Sequence, residues 1–307
     1  MTLASSRAAA IDAVSIGVIG AGAMGGGVVR SLRRAGATTH VRDVRADATD
    51  AARALGAEIH DSPATLARVC PIVIILVVDD TEVDSVLFGA DGAAAAFIPD
   101  AIVVLSSTLA PDYVTALAPR LAACGATLVD APVSGGPRRA ADGTMTMMVA
   151  GPANALARCA PVFGVIAERV FDVGAHAGDA ARFKIVNNLL AAANLAAAAE
   201  AVALATAAGL DPRQVFDVVN ASSGASWMFA DRMPRALARD FAPRAATRIL
   251  AKDSAIAAAF AARIGVDAPF ARAAHATFRA AIDAGYGDDD DAAVVRFRCE
   301  GTRRDSA

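Results

Sequence analysis

The stretch IGVIGAGAMG, residues 16–25, decides the fold of this chain. Gly20, Gly22 and Gly25 form the pattern GxGxxG directly after a short apolar run. A second apolar run ends at Asp43, 21 residues beyond Gly22. A strand, a glycine-rich turn, a helix and a second strand that ends in an acid are the context of a dinucleotide-binding βαβ unit. The same glycines in a turn that binds no cofactor are the structural alternative.

Each residue of this stretch has a predicted task. Gly20 allows the tight turn, Gly22 lets a pyrophosphate approach the backbone, and Gly25 allows close packing of helix on strand. The N–H groups at the start of the helix would face the phosphates, and the remaining residues of this cofactor loop are Ala21, Ala23 and Met24.

Asp43 is predicted to select the cofactor. Its carboxylate would accept hydrogen bonds from the ribose hydroxyls of the adenosine and repel a 2′-phosphate, which favours NAD. Arg42 and Arg45 flank it and could hold such a phosphate, so NADP stays possible.

Short apolar runs alternate with helical patterns from Ser15 to Gly174, which predicts an α/β domain. Because the runs are continuously apolar, the sheet should be parallel and covered on both faces, the doubly wound Rossmann arrangement. The predicted strands are 15–20, 38–43, 72–78, 102–106, 127–130, 145–150 and 169–173. The predicted helices between them are 24–34, 46–55, 63–68, 82–88 and 111–123.

The remainder of the chain reads as all-helical. One long helix is predicted over residues 180–208, followed by helices at 213–220, 227–239, 244–263, 269–284 and 289–298. We expect a flexible tail over residues 1–14, a Rossmann domain for NAD over 15–175, and a helical substrate and oligomerisation domain over 176–307. The long helix would begin the second domain and line the cleft between the two. Four acids at 288–291 are better explained by the start of a helix than by calcium.

Composition excludes several classes of protein. The net charge of −3 gives no reason to expect nucleic acid binding. Mean hydropathy is +0.44, but the apolar run at residues 72–78 is far shorter than the ~20 residues that span a bilayer. We expect no signal peptide and no membrane segment, and the four cysteines, without zinc spacing, indicate free thiols in the cytoplasm. The four histidines form no HxxxH pair, so no metal is predicted.

Lysine is rare, since only Lys184 and Lys252 occur among 29 basic residues. Lys184 and Asn188 are spaced i, i+4 and share one helix face. A lysine there can act as a general acid–base if its pKa falls toward about 7–8. Before this helix, Ser134-Gly135-Gly136 offers backbone N–H groups and a hydroxyl suited to a carboxylate, or it forms a simple turn.

These motifs resemble the β-hydroxyacid dehydrogenases, the family of 3-hydroxyisobutyrate dehydrogenase and tartronate semialdehyde reductase. The resemblance rests on GAGAMG at 20–25, DAPVSGGPRRAADGT at 130–144, GDAARFKIVNN at 178–188 and the Lys252-Asp253 pair. It extends from about residue 15 to residue 298.

The resemblance implies a role for each matching position. Lys184 would be the catalytic lysine, Asn188 would hold the substrate, and Ser134, Gly135 and Gly136 would bind its carboxylate. The implied contacts to the cofactor are Leu76, Val77, Thr108 and Lys252. Val78 stands where many members have proline, which leaves contacts there less certain. Lys184 also favours alcohol–carbonyl chemistry over that of the related imine reductases.

Residues 220–252 resemble the L-threonate dehydrogenase branch, which implies oxidation of L-threonate to 2-oxo-tetronate. Three serines and Trp227 could contact a polyhydroxylated substrate, although core packing explains the tryptophan equally well. A 3-hydroxyisobutyrate dehydrogenase and a tartronate semialdehyde reductase are the alternatives. A noncatalytic NAD(P)-binding regulator is the alternative from another class, and the family resemblance implies a homodimer or homotetramer.

Overall fold

The computed structural model describes residue 11 and residues 14–304, with side chains to residue 301. The predicted tail over residues 1–14 lies outside the described residues except for Ile11 and Val14. The chain divides into two compact units, Met1–Lys184 and Ile185–Ala307. The division falls inside the long helix α8 (Asp179–Ala207), which was predicted over residues 180–208.

The first unit is built on a sheet of nine strands within its described residues. The strand order is β3-β2-β1-β4-β5-β6-β8-β7, with β9 paired to β8. Strands β1 to β6 pair in parallel, β8 runs antiparallel to β6 and β7, and β9 is parallel to β8. The strands are β1 (Ile16–Ile19), β2 (Thr39–Arg42), β3 (Glu58–Ile59), β4 (Ile72–Ile75), β5 (Ala101–Leu105), β6 (Ala126–Asp130), β7 (Val133–Ser134), β8 (Met145–Ala150) and β9 (Ala167–Gly174).

Helices cover both faces of this sheet because its strands are apolar on both faces. Ile74 packs in one core and its neighbour Ile75 in the other, and Val104 and Leu105 divide in the same way. Successive side chains of a strand point to opposite faces, so this division follows from the continuous apolar runs. The helices are α1 (Ala23–Arg34), α2 (Ala46–Ala54), α3 (Pro63–Ala67), α4 (Asp80–Phe88), α5 (Pro111–Ala122), α6 (Gly136–Asp142) and α7 (Ala153–Ile166), with a 3₁₀ turn at Ala93–Ala95.

Four of these elements were not predicted: β3, β7, α6 and α7. The strands have two residues each, too few to show an alternating pattern. Helix α7 contains Pro161 yet buries Leu156, Cys159, Phe163 and Ile166, so tertiary packing outweighs a residue that normally breaks helices. Strand β4 ends at Ile75 rather than at residue 78, because the chain beyond it is held by the side chain of Ser107.

Within its described residues the second unit consists of helices and connecting loops, with one isolated β-bridge between Ala246 and Asp290. Its core contains Leu195, Phe229 and Phe278. After the later part of α8 come α9 (Pro212–Asn220), α10 (Trp227–Ala238), α11 (Thr247–Arg263), α12 (Pro269–Ala281), a π turn (Ile282–Tyr286) and α13 (Ala293–Arg304).

Buried ion pairs join α10 to the segment before α13. Arg232 donates from Nε and Nη2 to the two carboxylate oxygens of Asp291 at 2.7 and 3.0 Å, and both side chains are nearly fully buried. Arg235 donates to Asp290 at 3.0 Å. Asp290 also accepts the N–H of Ala292 at 3.2 Å. The acids at 290 and 291 therefore hold helices together, a role beyond the predicted helix start.

By length and composition alone, α8 is the one helix of the described chain that could cross a membrane. It has 29 residues, and 44% of its most apolar window is buried inside the molecule. Core helices of soluble proteins pass the same test. Lys184 and Asn188 are both buried on this helix, which fits a helix that lies inside the protein.

Candidate active site

The glycine loop joins β1 to α1. Gly20 has φ +89, and a Cβ there would lie 2.5 Å from the carbonyl oxygen of Leu76. A Cβ on Gly25 would lie 1.8 Å from the carbonyl oxygen of Gly20. Both positions therefore require glycine. A Cβ on Gly22 would approach the Arg45 guanidinium at 3.3 Å, a tight contact with the end of a flexible side chain, so this position does not require glycine as strictly as the other two.

Asp43 follows β2 and fixes the loop. Its Oδ2 accepts the N–H of Ala21 at 2.7 Å, and its Oδ1 accepts the N–H of Arg45 at 2.9 Å. The Arg45 Nε lies 3.4 Å from the same Oδ1. Since each carboxylate oxygen has two lone pairs, Asp43 can still accept a hydrogen bond from a ribose hydroxyl. Its bond to Ala21, which sequence reasoning did not anticipate, makes Asp43 part of the loop's own structure.

The ends of β4 and β5 are joined by one hydroxyl group. Ser107 Oγ accepts the N–H of Val77 at 3.0 Å and donates to its carbonyl oxygen at 2.8 Å. Leu76 and Val77 are half-buried, as is Thr108, the residue after Ser107. Leu76 also borders Gly20, so these candidate cofactor contacts lie beside the glycine loop. Parallel α/β sheets bind ligands at this end of their strands, near the point where the strand order reverses.

Lys184 lies beside the predicted carboxylate loop. Its side chain is buried, and Nζ donates a hydrogen bond of 2.6 Å to the carbonyl oxygen of Val133. The next residues are Ser134, which ends β7, and Gly135 and Gly136, which lead into α6. All three are half-buried. The structure thus brings together the lysine and the loop, which are about 50 residues apart in the chain.

Asp130 is a residue of this region that sequence reasoning missed. It ends β6 and is 2% exposed. Its Oδ2 accepts the N–H groups of Gly178 and Ala181, both at 2.9 Å, at the start of α8. Burial raises the pKa of this carboxyl group to about 6, because the ionised form is poorly solvated. Asp130 therefore anchors the helix turn that precedes Lys184.

In the second unit, Asp253 joins Asn188 and Lys252. Asn188 Nδ2 donates to Asp253 Oδ2 at 2.6 Å, and Lys252 Nζ lies 3.0 Å from Asp253 Oδ1. Asn188 Oδ1 accepts from Asn187 Nδ2 at 3.0 Å. Because a carboxylate only accepts, this contact fixes which end of the Asn188 amide donates. Two predicted site residues are thus connected through an acid that was not predicted.

Trp227 begins α10 and is 52% exposed, so core packing does not account for it. Its ring faces the Arg232 guanidinium, 5.7 Å from the ring centroid. Ser226 caps this helix by accepting the N–H of Phe229 at 3.0 Å. Ser222 and Ser223 are exposed beside it. The serine-rich segment therefore combines one capping hydroxyl with two that face solvent.

Known families match nearly the whole chain. Residues 15–174 match the model of the NAD-binding domain of 6-phosphogluconate dehydrogenase. Residues 178–298 match the model described as NAD-binding of NADP-dependent 3-hydroxyisobutyrate dehydrogenase.

Individual proteins are similar over the same length. An L-threonate dehydrogenase of Cupriavidus necator is 44% identical over 283 residues, which cover 92% of this chain and 95% of that protein. A crystal structure of 3-hydroxyisobutyrate dehydrogenase from Salmonella typhimurium matches with a TM-score of 0.87 at 38% identity, covering 92% of this chain and 99% of that one. Psf3 in complex with NADP⁺ and 2-OPP matches with a TM-score of 0.85 at 27% identity, with coverage of 92% and 99%.

The fold, the glycine loop and these matches define an NAD(P)-dependent dehydrogenase that acts on a CH–OH group of a hydroxy acid. The chain belongs to the β-hydroxyacid dehydrogenases related to 3-hydroxyisobutyrate dehydrogenase, on the branch of the L-threonate dehydrogenases. The predicted family, fold class and NAD(P) cofactor are thereby confirmed.

Proposed function

We propose that this chain oxidises L-threonate at C2 to 2-oxo-tetronate, with Lys184 as the general acid–base. The observation that carries the proposal is the buried Lys184 side chain, whose Nζ donates a hydrogen bond of 2.6 Å to the Val133 carbonyl at the start of the Ser134–Gly136 loop. A single lysine Nζ at that place can reach a substrate hydroxyl whose carboxylate is bound by the loop.

Each residue of the candidate site would have its own role in the reaction. The N–H groups of Gly135 and Gly136 and the hydroxyl of Ser134 would bind the carboxylate and fix the orientation of C2. Lys184, as the neutral amine, would take the proton of the C2 hydroxyl and become an ammonium group. Asn188, oriented by Asp253, would hold a substrate oxygen. NAD, when bound, accepts the hydride.

The nucleotide would be held by the glycine loop from Gly20 to Gly25, including Ala21, Ala23 and Met24, with Leu76, Val77, Thr108 and Lys252 as further contacts. Support comes from the position of Leu76 against Gly20. We propose a preference for NAD, because Asp43 presents a buried carboxylate where a 2′-phosphate would need neutral or positive partners.

The choice of L-threonate rests on two observations. The relative from Cupriavidus necator is named for this substrate, whereas the similar Salmonella structure is named for 3-hydroxyisobutyrate. Exposed Ser222, Ser223 and Trp227 supply polar and aromatic surface that suits a polyhydroxylated acid better than a branched apolar one.

An activity panel tests this proposal. The purified chain is assayed with L-threonate, with 3-hydroxyisobutyrate and with the hydroxy acid that is formed when tartronate semialdehyde is reduced. Each substrate is tested with NAD and with NADP. We expect the highest kcat/KM for L-threonate with NAD. A higher kcat/KM for 3-hydroxyisobutyrate would assign the chain to the other substrate and leave its class unchanged.

We further propose a homodimer or homotetramer located in the cytoplasm. Large apolar side chains of the second unit are exposed, among them Leu204, Val218 and Phe270. Such side chains are typical of subunit interfaces when they lie together. Sedimentation equilibrium of the full chain measures the assembly, and a monomer at micromolar concentration would contradict it.

A further inference from the structure

Two histidines and a glutamate lie together at the sheet edge of the first unit, and the proposed reaction uses none of them. His40 on β2 is the register partner of Glu58 on β3. His60 follows β3, and its backbone N–H donates to the carbonyl oxygen of Val41 at 2.9 Å. Parallel pairing of β2 and β3 thus brings His40 and His60, 20 residues apart in sequence, into contact.

Three potential ligand atoms converge within 4.8 Å of one another. His40 Nδ1 is 2.9 Å from His60 Nε2 and 3.5 Å from Glu58 Oε2, and His60 Nε2 is 4.0 Å from Glu58 Oε1. Tetrahedral zinc with ligand bonds of about 2.0–2.1 Å separates neighbouring ligand atoms by about 3.3 Å. To form such a site, the two imidazole nitrogens would have to separate by roughly 0.4 Å. The exposed Glu58 carboxylate, which has Oε2 nearest His40 and Oε1 nearest His60, would have to rotate to place one oxygen between the two rings.

The environment of His40 suits a metal ligand. Burial lowers the pKa of His40, which favours the neutral imidazole with a lone pair available. The His40 Nε2 is buried with no hydrogen-bond partner in the described structure, so Nδ1 is the ring nitrogen that meets polar groups. One hydrogen bond can join His40 Nδ1 to His60 Nε2, which lie 2.9 Å apart. The Glu58 oxygens lie too far from both rings for strong hydrogen bonds.

Access to the cluster is one-sided. The side chains of His40 and His60 are 6% and 11% exposed, whereas that of Glu58 is 67% exposed. A metal could therefore enter past Glu58 and keep a solvent molecule as its fourth ligand. Two imidazoles and one carboxylate select zinc and its transition-metal neighbours over magnesium or calcium, which prefer oxygen ligands.

We propose that His40, Glu58 and His60 form a site for one divalent transition-metal ion of the zinc class. The ion would connect the edge strand β3 to β2, three residues before Asp43. Binding would stabilise the first unit, because an ion that binds the folded chain shifts the folding equilibrium.

The test is equilibrium dialysis of the full chain, freed of metal by a chelator, against Zn²⁺ alone, with bound zinc counted by mass spectrometry. We expect one Zn²⁺ per chain, and an affinity at least about tenfold weaker in Glu58→Gln and His60→Ala. The matched control is His176→Ala, whose imidazole is 89% exposed and lies outside the cluster. This control should bind like the wild type.

Glu58→Gln removes an exposed carboxylate and leaves both buried rings in place, so it tests binding without disturbing the fold. Co²⁺ provides a second readout, since its visible absorption reports nitrogen and oxygen ligands directly. The proposal is overturned if the wild type binds no Zn²⁺, or if Glu58→Gln and His60→Ala bind it as tightly as the wild type does. Equal losses in His176→Ala and His60→Ala would also overturn it.

Discussion

Replacing Asp130 by asparagine should stabilise the chain at neutral pH without releasing α8. One oxygen of Asp130, Oδ2, accepts both helix N–H groups at 2.9 Å. The Oδ1 of an asparagine can take the same two hydrogen bonds, so the anchor at Gly178 and Ala181 is retained. What the substitution removes is the buried negative charge.

The sign follows from the pKa of the carboxyl group. Burial raises it from 3.8 to about 6 in the folded chain, with a smaller contribution from the charge of Asp179 in the same direction. Below about pH 4 the carboxyl group is protonated in the folded and the unfolded chain alike. Between about pH 4 and pH 6 it is ionised only in the unfolded chain, so the free energy of unfolding falls as the pH rises. A difference of about two pKa units corresponds to ~3 kcal/mol, lost in full above about pH 6.

Urea unfolding followed by far-UV circular dichroism measures this effect between about pH 4.5 and pH 7.5. The stability advantage of Asp130→Asn over the wild type should grow from about pH 4.5 to about pH 6 and then level off near the ~3 kcal/mol limit. Asp142→Asn is the matched control, because the Asp142 side chain is 57% exposed and lies in the same unit. A constant difference between Asp130→Asn and the wild type at every pH would refute the reasoning.

Measurements of kcat distinguish the two roles of Asp130, as acceptor of the helix N–H groups and as a buried charge. Asp130→Ala leaves the N–H groups of Gly178 and Ala181 without their acceptor, at about 1–3 kcal/mol for each buried donor. We expect Asp130→Ala to lower kcat, because Lys184 follows the released turn, while Asp130→Asn keeps kcat near that of the wild type. Equal kcat values in the two variants would show that the anchor does not position Lys184.

Three further predictions concern the reaction and the second unit. Lys184→Ala should lower kcat by about 10²–10⁴-fold with the KM for NAD unchanged in steady-state assays. The control Arg182→Ala, two residues before Lys184 and with a 51% exposed side chain, should retain full activity. Asp43→Ser keeps a hydroxyl acceptor near Ala21 but removes the charge, and should raise the kcat/KM ratio of NADP to NAD about tenfold, or ~1.4 kcal/mol; an unchanged ratio would count against the ribose contact. Arg232→Met leaves Asp291 buried and unpaired and should cost about 3–5 kcal/mol in urea unfolding followed by Trp227 fluorescence, against less than about 1 kcal/mol for the exposed Arg272→Met.

The Rossmann architecture was predictable because its signals are local. Continuous apolar runs, helix starts and GxGxxG all act within a few residues, and each has one dominant structural solution. Helix α8 was placed to within one residue at each end, since Asp179 and Gly209 bound a long apolar stretch. Short elements such as β3 and β7 left no such signal, because their pairing is decided by the rest of the sheet.

The sequence predicted which residues belong to the candidate site, but it did not predict which of them contact one another. Asp253 follows Lys252 directly, yet nothing in the sequence indicates that its carboxylate would orient Asn188, 65 residues away. The histidine cluster was not predicted either, because its members come together only in the folded sheet. Ligand spacing such as HxxxH describes one helix, whereas His40 and His60 meet through the pairing of two strands.

The rarity of lysine gains a physical meaning from these contacts. Lys184 Nζ donates to the backbone carbonyl of Val133, and Lys252 Nζ lies 3.0 Å from Asp253 Oδ1, so each side chain presents all its N–H groups from one nitrogen. Arg232, in contrast, spreads Nε and Nη2 over both oxygens of Asp291. A guanidinium at position 184 would bring five donors in a planar fork to the buried place where Nζ donates to the Val133 carbonyl, and it could not give up its proton. Under the proposed function, an arginine at position 184 would therefore keep the positive charge but could not exchange a proton with the substrate hydroxyl.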